Sequence, residues 1–459
     1  MSSNAWIRRD IEIARRLGVD VIAERQRSRF IDIVAFARQN SAYYKELYKD
    51  LPENIDNPRL LPVTDKKKLM ARFDDWCTDS NVTLAKVRSF IDNPNLVGEP
   101  FLGKYLAVTS SGTTGTRGLF LIDDVYSSVN SYLFSNALHG WLNVKEKMQI
   151  LGSGVKIAIL ATTGGHFASC AGYTRMCKTN LFARWAINLY SVQTPIPELV
   201  KKLNKQKPAI IFGYGSAVRI LAQEQVQGRL NINPVLIIPS GESLGEHEYD
   251  QIKKHFRHSK ISNLYGASEC SFIGSMCKHG WYHVNSDWVI IEPVNQDYTP
   301  TRPGELSHTV LLTNLANKVQ PILRYDLGDR VLTRADSCPC GNPLPAIQII
   351  GRAADIMHFA TLDKHVVSIP PLAFATLVDS IPGIKQFQIA QTTGESLSIR
   401  LNLIEGADSE RVWQSLYSQI SKLLSERELN HISIVRSNEP PLLSPSGKLR
   451  TIIPIEANF

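Results

Sequence analysis

The sequence predicts a mixed α/β fold in which a large N-terminal part is followed by a small α+β C-terminal part. The length, 459 residues, exceeds what one hydrophobic core usually serves. From about residue 150, short strand-like runs alternate with helical stretches, which is typical of βαβ units in a largely parallel sheet. From about residue 385 the order becomes strand, strand, helix, strand, which indicates a second compact unit.

The individual elements follow from hydrophobic periodicity. Residues 5–40 predict helix, because their apolar side chains recur at helical spacing. Residues 305–350 predict mainly strands, and Ser409–Leu424 predicts the helix of the C-terminal unit. The alternating region predicts strands and helices in turn, at Lys156–Leu160, Pro195–Asn204, Ala209–Phe212, Ser216–Gln225 and Val235–Pro239.

A domain boundary is predicted near residue 352. The strand-like run Ile347–Ile350 ends at Gly351, and a new element begins after it. The expected domains are therefore residues 1–351 and residues 352–459.

Composition favours a packed globular protein with a basic surface. Hydrophobic residues make up 43% of the chain, charged residues 20%, and the net charge is +8. This excess favours polyanionic small ligands, but it is spread along the chain, so we expect no nucleic-acid partner. No apolar run approaches the roughly 20 residues of a membrane helix, and no signal-peptide core is present. We therefore expect a cytoplasmic protein without a membrane partner.

The most informative stretch interleaves small hydroxyl residues with glycine after an apolar lead-in, over residues 108–118. Glycine lets backbone N–H groups approach a polyanion, and hydroxyl groups add donors for phosphate oxygens. The alternative is a flexible polar turn. The candidate phosphate-binding residues are Ser110, Ser111, Gly112, Thr113, Thr114 and Gly115.

Four further segments follow in order, at Asn263–Glu269, Arg324–Asp329, Gly351–Asp355 and Ser446–Arg450. Together with the glycine-rich stretch they resemble the ordered motifs of the acyl-adenylate-forming superfamily. The N-terminal runs Tyr43–Tyr48 and Leu61–Lys66 are typical of its phenylacetate-CoA ligase-like branch. The resemblance implies a large N-terminal adenylation domain and a small C-terminal domain that rotates about a hinge at residues 352–356.

The resemblance also implies site roles. Tyr265 would pack on adenine, Glu269 would hold Mg²⁺, Asp329 would accept both ribose hydroxyls, and Arg352 would contact ribose or phosphate. Lys448 would be the catalytic lysine. Gly241, Glu242 and Gly266 complete the nucleotide-binding set.

The acid pocket implied by the same resemblance is apolar with a few polar groups. Its candidates are His166, Phe167, Tyr214, Gly215, Ser240 and Gly266. His166 and Phe167 could stack on an aromatic ring, although a satisfied core histidine explains His166 equally well.

The chain has seven cysteines, and an odd number argues against a disulfide framework. Cys277, His283, Cys338 and Cys340 make a plausible Cys₃His set for structural zinc. His279 is a rival for His283, and plain reduced thiols are the alternative to a metal site.

The function expected from the resemblance is ATP-dependent activation of a small aromatic carboxylic acid, with Mg²⁺, followed by acyl transfer to CoA. The loop after the hinge, His358–Ile369, lacks the glycine usual in CoA ligases. A carrier-protein thiol or an amine is therefore an alternative acceptor. A non-catalytic ATP-binding relative is the alternative from another class, and a homodimer is expected from relatives.

Overall fold

The protein is described by a computed structural model over residues 5–110, 118–241, 246–352, 355–369, 371–443 and 449–455. In this part of the chain, no helix combines the length and the apolar character that crossing a bilayer requires.

Within the described ranges, helices occur in both the N-terminal and the C-terminal part, and 3₁₀ turns occur at Pro58–Leu60 and Pro94–Leu96. The α-helices are α1 (Ala5–Leu17), α2 (Val19–Asn40), α3 (Ala42–Leu47), α4 (Lys66–Ala71), α5 (Phe73–Trp76), α6 (Leu84–Ile91), α7 (Asp124–Trp141), α8 (Val144–Gly152), α9 (Ala168–Thr179), α10 (Leu181–Ala186), α11 (Ile196–Gln206), α12 (Gly215–Val226), α13 (Glu246–His255), α14 (Pro371–Asp379) and α15 (Ser409–Ser425).

The strands belong to several separate sheets. They are β1 (Pro100–Phe101), β2 (Tyr105–Thr109), β3 (Leu119–Ile122), β4 (Ile157–Ala161), β5 (Ile187–Ser191), β6 (Ile210–Tyr214), β7 (Leu236–Ser240), β8 (Lys260–Ile261), β9 (Leu264–Tyr265), β10 (Gly274–Met276), β11 (Tyr282–Val284), β12 (Val289–Val294), β13 (Thr309–Asn314), β14 (Tyr325–Asp326), β15 (Asp329–Thr333), β16 (Ala346–Arg352), β17 (Met357–Ala360), β18 (Val366–Ile369), β19 (Ile384–Thr393), β20 (Ser396–Leu403), β21 (Ser433–Arg436) and β22 (Ile452–Ile453).

A parallel sheet and an antiparallel sheet form the framework of the N-terminal part. The parallel sheet has the order β5-β4-β6-β7-β8, and helices α11, α12 and α13 pack their apolar residues against it. The antiparallel sheet has the order β15-β16-β11-β10-β9. Smaller three-stranded sheets, β1-β2-β3 and β12-β13-β14, lie beside them in the chain's largest hydrophobic cluster.

The N-terminal helices are fastened to the strands that follow much later in the chain. The Tyr44 hydroxyl and the Trp76 indole N–H both donate to the carbonyl of Pro321, at 2.9 and 2.7 Å. Both side chains are fully buried, so these bonds also satisfy polar groups that water cannot reach.

A separate hydrophobic cluster lies between Met357 and Ile452. It joins α14 and α15 to the sheet β21-β20-β19-β22 through buried side chains such as Phe374, Ile389 and Leu416. The boundary at residue 352 stays a prediction, and residues 353–354 lie outside the described residues.

The mixed α/β fold class is confirmed, and the element predictions are correct within a few residues. One prediction needs correction: residues 5–40 form two helices, because Gly18 adopts φ +99° and interrupts them. This left-handed conformation is readily available to glycine.

Candidate functional site

The centre of the candidate site is a hydrogen-bonded chain of three residues on the antiparallel sheet. The Tyr265 hydroxyl donates to Asp329 Oδ2 at 2.9 Å, and Arg352 Nε donates to Asp329 Oδ1 at 3.0 Å. Strand pairing enforces this meeting, because Asp329 and Arg352 are direct partners on β15 and β16. Three residues that the sequence analysis singled out separately are thus brought together.

The charge on Asp329 is held in a buried setting. Burial raises the pKa of Asp329 above its usual range, and the Arg352 guanidinium opposes this shift. The same carboxylate raises the pKa of Arg352, so the arginine stays charged. Burial also raises the pKa of Tyr265, which keeps its hydroxyl a donor.

A second group lies around Glu269, four residues after Tyr265. The Tyr325 hydroxyl donates to Glu269 Oε1 at 2.8 Å, and Lys66 Nζ lies 3.9 Å from the same oxygen. The side chains of Glu269 and Lys66 are 7% and 19% exposed, so solvent screens their attraction only partly. A carboxylate in this position is suited to a hard cation such as Mg²⁺.

Lys66 is a site residue that the sequence analysis quoted within a run but gave no role. Burial lowers the pKa of Lys66, and Glu269 counteracts this effect. Its segment is fixed because Thr64 pairs with the Tyr325 strand: Thr64 N–H donates to the Arg324 carbonyl at 3.0 Å, and Asp326 N–H donates to the Thr64 carbonyl at 2.8 Å. The contact between Lys66 and Glu269 depends on pairing between distant segments, so local sequence patterns could not predict it.

Gly266 lies where no side chain fits. A Cβ atom there would be 2.2 Å from the carbonyl oxygen of Ser271. The Ser271 N–H donates to the Tyr126 hydroxyl at 2.6 Å, which ties the turn between Gly266 and Ser271 to α7. The glycine is therefore required by close backbone approach, and it sets the position of Glu269 within that turn.

The glycine-rich stretch connects β2 to β3 as the loop of a hairpin. Its base is closed by Ser110, whose N–H donates to the Gly118 carbonyl at 2.9 Å and whose Oγ accepts from Gly118 N–H at 2.8 Å. Ser110 thus stabilises the base of this hairpin. The other candidates of this loop lie outside the described residues: Ser111, Gly112, Thr113, Thr114 and Gly115.

The candidate acid-binding residues gather at the carboxyl ends of the parallel strands. Tyr214 ends β6 and Ser240 ends β7, and these two residues are paired in the ladder. Gly215 begins α12 directly after Tyr214, and Gly241 follows Ser240. Ligands commonly bind at this edge of an open parallel sheet. Glu242 lies outside the described residues.

His166 is packed as a core residue. It is 1% exposed, its Nε2 lies 3.3 Å from the Asn93 carbonyl oxygen, and its ring meets Phe90 edge-on at 5.4 Å between centroids. These contacts fit the alternative of a satisfied core histidine, and the role of His166 in the acid pocket stays a prediction. Phe167 is half-buried and pairs with Thr109 through an isolated bridge, so it remains beside the base of the glycine-rich loop.

Four potential metal ligands converge at one end of the antiparallel sheet. One ligand atom from each of Cys277, His283, Cys338 and Cys340 lies within 4.8 Å of the others. Cys277 follows β10, His283 lies on β11, and the other two cysteines lie between β15 and β16. The cluster therefore joins two hairpins, and it contains His283 instead of the rival His279.

The surroundings of the cluster suit a tetrahedral metal. The Nδ1 of His283 lies 2.9 Å from the Leu344 carbonyl, a hydrogen bond that leaves Nε2 free to face Cys340 Sγ at 3.1 Å. Burial lowers the pKa of His283, which favours the neutral ligand form. Gly341 takes φ +83° directly after Cys340, and this tight turn directs the thiols of Cys338 and Cys340 to the same point.

The segment that carries Lys448 is closed at its base, although Lys448 itself lies outside the described residues. Leu443 and Leu449 form an isolated antiparallel bridge. Next to it, Arg450 Nη2 donates to Asp355 Oδ1 at 2.6 Å. Arg450, two residues after Lys448, is thus linked to Asp355, which lies within the predicted hinge at residues 352–356.

Comparison with solved structures identifies the fold. The chain is similar to 2-hydroxyisobutyryl-CoA ligase in the postadenylation state in complex with 2-HIB-AMP: the TM-score is 0.65 at 17% identity, over 95% of this chain and 89% of that chain. It is also similar to the same ligase with 2-HIB-AMP and CoA in the thioesterification state, with a TM-score of 0.53 at 18% identity over 95% and 89% of the two chains. The predicted fold is thereby confirmed.

Comparison with curated sequences gives a partial match. Protein CapK of Staphylococcus aureus is 24% identical over 260 residues, which cover 55% of this chain and 54% of CapK. The chain thus matches about half the length of this curated relative. No family model matches the chain.

Proposed function

We propose that this chain activates a small aromatic carboxylic acid with MgATP, releasing pyrophosphate and forming an acyl-adenylate, and then transfers the acyl group to CoA. The observation that carries the proposal is the convergence of Tyr265, Asp329 and Arg352 beside Glu269 and Tyr325. These residues come from distant sequence segments, and together they offer an acceptor for a diol, a carboxylate for a cation and fixed positive charge.

The nucleotide would be held by this group of residues. Asp329 is a buried carboxylate whose orientation is fixed on both oxygens, which suits it to accept the two ribose hydroxyls. Tyr265 would line the adenine side, and Glu269 would hold Mg²⁺, which neutralises phosphate charge when bound. Lys66 and Arg352 add cations on the same side of the site.

The reaction consists of two successive nucleophilic substitutions, the first at the α-phosphorus of ATP and the second at the acyl carbon of the adenylate. A carboxylate oxygen of the acid attacks the α-phosphorus of ATP, the bond to the bridging oxygen breaks, and pyrophosphate leaves with the electron pair. The CoA thiolate then attacks the acyl carbon, and AMP leaves. Lys448, supplied by the C-terminal domain, would stabilise the charge that develops in the first step, and rotation of that domain would make way for the acceptor.

The pocket at the ends of β6 and β7 would receive the acid. Tyr214 ends β6 there with its ring largely buried, and Gly215 and Gly241 beside it carry no side chain that would occupy the space of a ring. Because His166 is more deeply buried and lies against Asn93, we assign the ring contact to Tyr214 and Phe167. An aliphatic acid of similar size is the competing substrate class.

The acceptor has a second candidate, an amine or a carrier-protein thiol. The segment after the predicted hinge forms the hairpin β17–β18, whose tip is exposed at Leu362–Val366. Lys364 adopts φ +64° at that tip, where CoA ligases usually carry glycine. The lack of glycine in this tip favours an acceptor other than CoA, whereas the likeness in fold to a CoA ligase favours CoA. A non-catalytic ATP-binding relative is the alternative from another class.

We also propose that the Cys₃His cluster binds one structural zinc ion. Three thiols and one imidazole fill four tetrahedral positions, which leaves none open for substrate. The ion would join the hairpin β10–β11 to the hairpin β15–β16 at the end opposite to Asp329 and Arg352. Its contribution would be rigidity of the sheet that holds the nucleotide. The cytoplasmic location and the homodimer stay predictions.

The test is acid-dependent pyrophosphate release from ATP over a panel of aryl and short acyl acids, with and without CoA. We expect release with an aryl acid, loss of release in Lys448→Ala, and retention in Lys201→Ala, a control on the exposed face of α11. A thioester formed with CoA supports the ligase. Release without a CoA effect favours the other acceptors. Measurable ATP binding with no release from any acid contradicts the proposal and favours the non-catalytic relative.

A further inference from the structure

Helix α8 exposes an apolar stripe that the proposed function does not use. Val144, Met148 and Leu151 are spaced i, i+4 and i+7 and therefore lie on one face. They are 77%, 62% and 62% exposed. The buried residue of this helix, Ile150, lies on a different face, so the stripe is not the side that packs on the protein.

Helix α10 extends this surface with three more large apolar side chains. Leu181, Phe182 and Trp185 are 82%, 55% and 63% exposed, while Ala183 and Ala186 face the interior. The two rings lie 5.9 Å apart.

The C-terminal end of α8 lies close to α10. The Trp185 ring is 3.2 Å from the position that a Cβ on Gly154 would occupy, in the turn after α8. Both helices also lead into neighbouring strands, which start as the pair Ile157 and Ile187. We call the six exposed side chains the α8–α10 patch: Val144, Met148, Leu151, Leu181, Phe182 and Trp185.

The patch is large for a surface without a partner. Side chains of this size and exposure contribute about 100 Å² each, so six of them reach roughly 600 Å², the upper end for a typical monomer. An apolar surface of this extent indicates a docking site.

The charges around the patch favour an anionic surface over a second copy of the chain as its partner. Residues 141–192 carry six basic side chains and one acidic one, Glu146, and Glu146 is held 2.8 Å from Lys260 Nζ. Two of the basic side chains, Arg175 and Lys178, form ion pairs with Asp124 and Glu99, so docking would rely on the lysines of α8. On α8, Lys145 and Lys147 flank the apolar stripe on its two sides at 100° per residue. A second copy docked through a twofold axis would set these cations against themselves, whereas an anionic surface would attract them.

We propose that the α8–α10 patch docks the protein on the surface of a bilayer that contains anionic phospholipid. Exposed Trp, Phe and Leu with a basic rim are the composition of interfacial membrane-binding helices. The patch lies at the amino ends of β4 and β5, and Tyr214 and Ser240 lie at the carboxyl ends of their sheet. Docking would therefore leave the candidate site open on the opposite side.

This proposal replaces the sequence-based expectation of no membrane partner. That expectation followed from the lack of a long apolar run, which concerns spanning segments and does not address surface binding. The proposal does not depend on the proposed enzymatic function.

The test is sedimentation of the full chain with vesicles of equimolar phosphatidylcholine and phosphatidylglycerol, and with phosphatidylcholine alone. We expect binding to the anionic vesicles that weakens as salt is raised. The double variant Phe182→Ser/Trp185→Ser should lower the partition coefficient at least tenfold, and Lys145→Glu/Lys147→Glu at least fivefold. Val226→Ser, a similarly exposed apolar residue at the end of α12, is the matched control and should bind as the wild type does.

Thermal unfolding checks that each variant is folded, and Leu151→Ser replaces the double variant if that protein is unstable. Three results would overturn the proposal. The first is no binding to anionic vesicles at low salt, and the second is equal binding by the wild type and a folded patch variant. The third is a wild-type dimer in sedimentation velocity that the patch variant dissociates, without vesicle binding, which would assign the patch to a second copy.

Discussion

Replacing Gly266 by alanine should disrupt the candidate site through a single backbone contact. The new Cβ would lie 2.2 Å from the Ser271 carbonyl oxygen and 2.8 Å from its carbon. Because carbon atoms do not approach backbone oxygen this closely, the chain must separate by roughly 1 Å, and neither contact is a flexible side-chain end. Overpacking of this kind typically costs about 1–3 kcal/mol, and a backbone contact as close as this one belongs at the upper end.

The displacement would fall on the turn that presents Glu269. Ala267 and Cys270 exchange backbone hydrogen bonds of 2.9 and 3.2 Å across this turn, and Ser271 is tied to Tyr126. We therefore expect Gly266→Ala to lower the midpoint of urea denaturation and to raise the KM for MgATP at least tenfold in pyrophosphate release. A tenfold change corresponds to about 1.4 kcal/mol of binding.

Gly172→Ala provides the matched control. This glycine lies within α9, and an added Cβ meets no atom within 4 Å. Alanine there should leave the KM unchanged and stabilise the helix by about 0.5–1 kcal/mol. If Gly266→Ala matched the wild type in both denaturation and KM, the close-approach argument would be refuted.

Further predictions concern the charged groups and the cluster. Tyr325→Phe removes a hydrogen bond to buried Glu269 and should cost about 1–2 kcal/mol in urea denaturation while raising the Mg²⁺ concentration for half-maximal activity. Lys66→Met should raise the KM for ATP several-fold with little loss of folding stability, because burial of this lysine already carries a desolvation cost. Purified protein should contain about one zinc per chain by elemental analysis, and Cys338→Ser should lower both the zinc content and the thermal midpoint; equal values in both proteins would contradict the site. Because burial raises the folded-state pKa of Asp329, the folded protein binds more protons than the unfolded one between the unfolded-state pKa, about 4, and the higher folded-state pKa. The stability of the wild type relative to Asp329→Asn should therefore fall as pH rises through the folded-state pKa, and urea denaturation across pH would show a flat difference if the shift were absent.

Local sequence rules were sufficient for most elements of the fold. The regular alternation of strands and helices between β4 and β7 was predicted within about two residues, because apolar periodicity there reflects which face is buried. The break at Gly18 was missed because a single glycine inside a helical pattern is often tolerated. Its left-handed φ depends on how α1 packs, and the sequence pattern does not carry that information.

The candidate site was predictable to a different extent for each kind of residue. Tyr265, Asp329 and Arg352 were identified by motif, and the sheet register brings them into contact. His166 was ambiguous, since a histidine after a strand fits both a pocket and a core, and its contact with Phe90 favours the core. Lys66 was missed, because its partner Glu269 lies some two hundred positions away in the chain.

The geometry at Asp329 explains how a site can be organised before its ligand arrives. A carboxylate offers about four acceptor positions, two on each oxygen. Tyr265 uses one on Oδ2, and Arg352 uses one on Oδ1; counting the hydrogen bonds of the described residues only, one position is left on each oxygen. Two ribose hydroxyls need two acceptor positions, one on each oxygen. Under the proposed function, a nucleotide would therefore bind without breaking the hydrogen bond from Tyr265 or the one from Arg352. The protein donors would then remain in place, and the orientation of the carboxylate would not have to be rebuilt on binding.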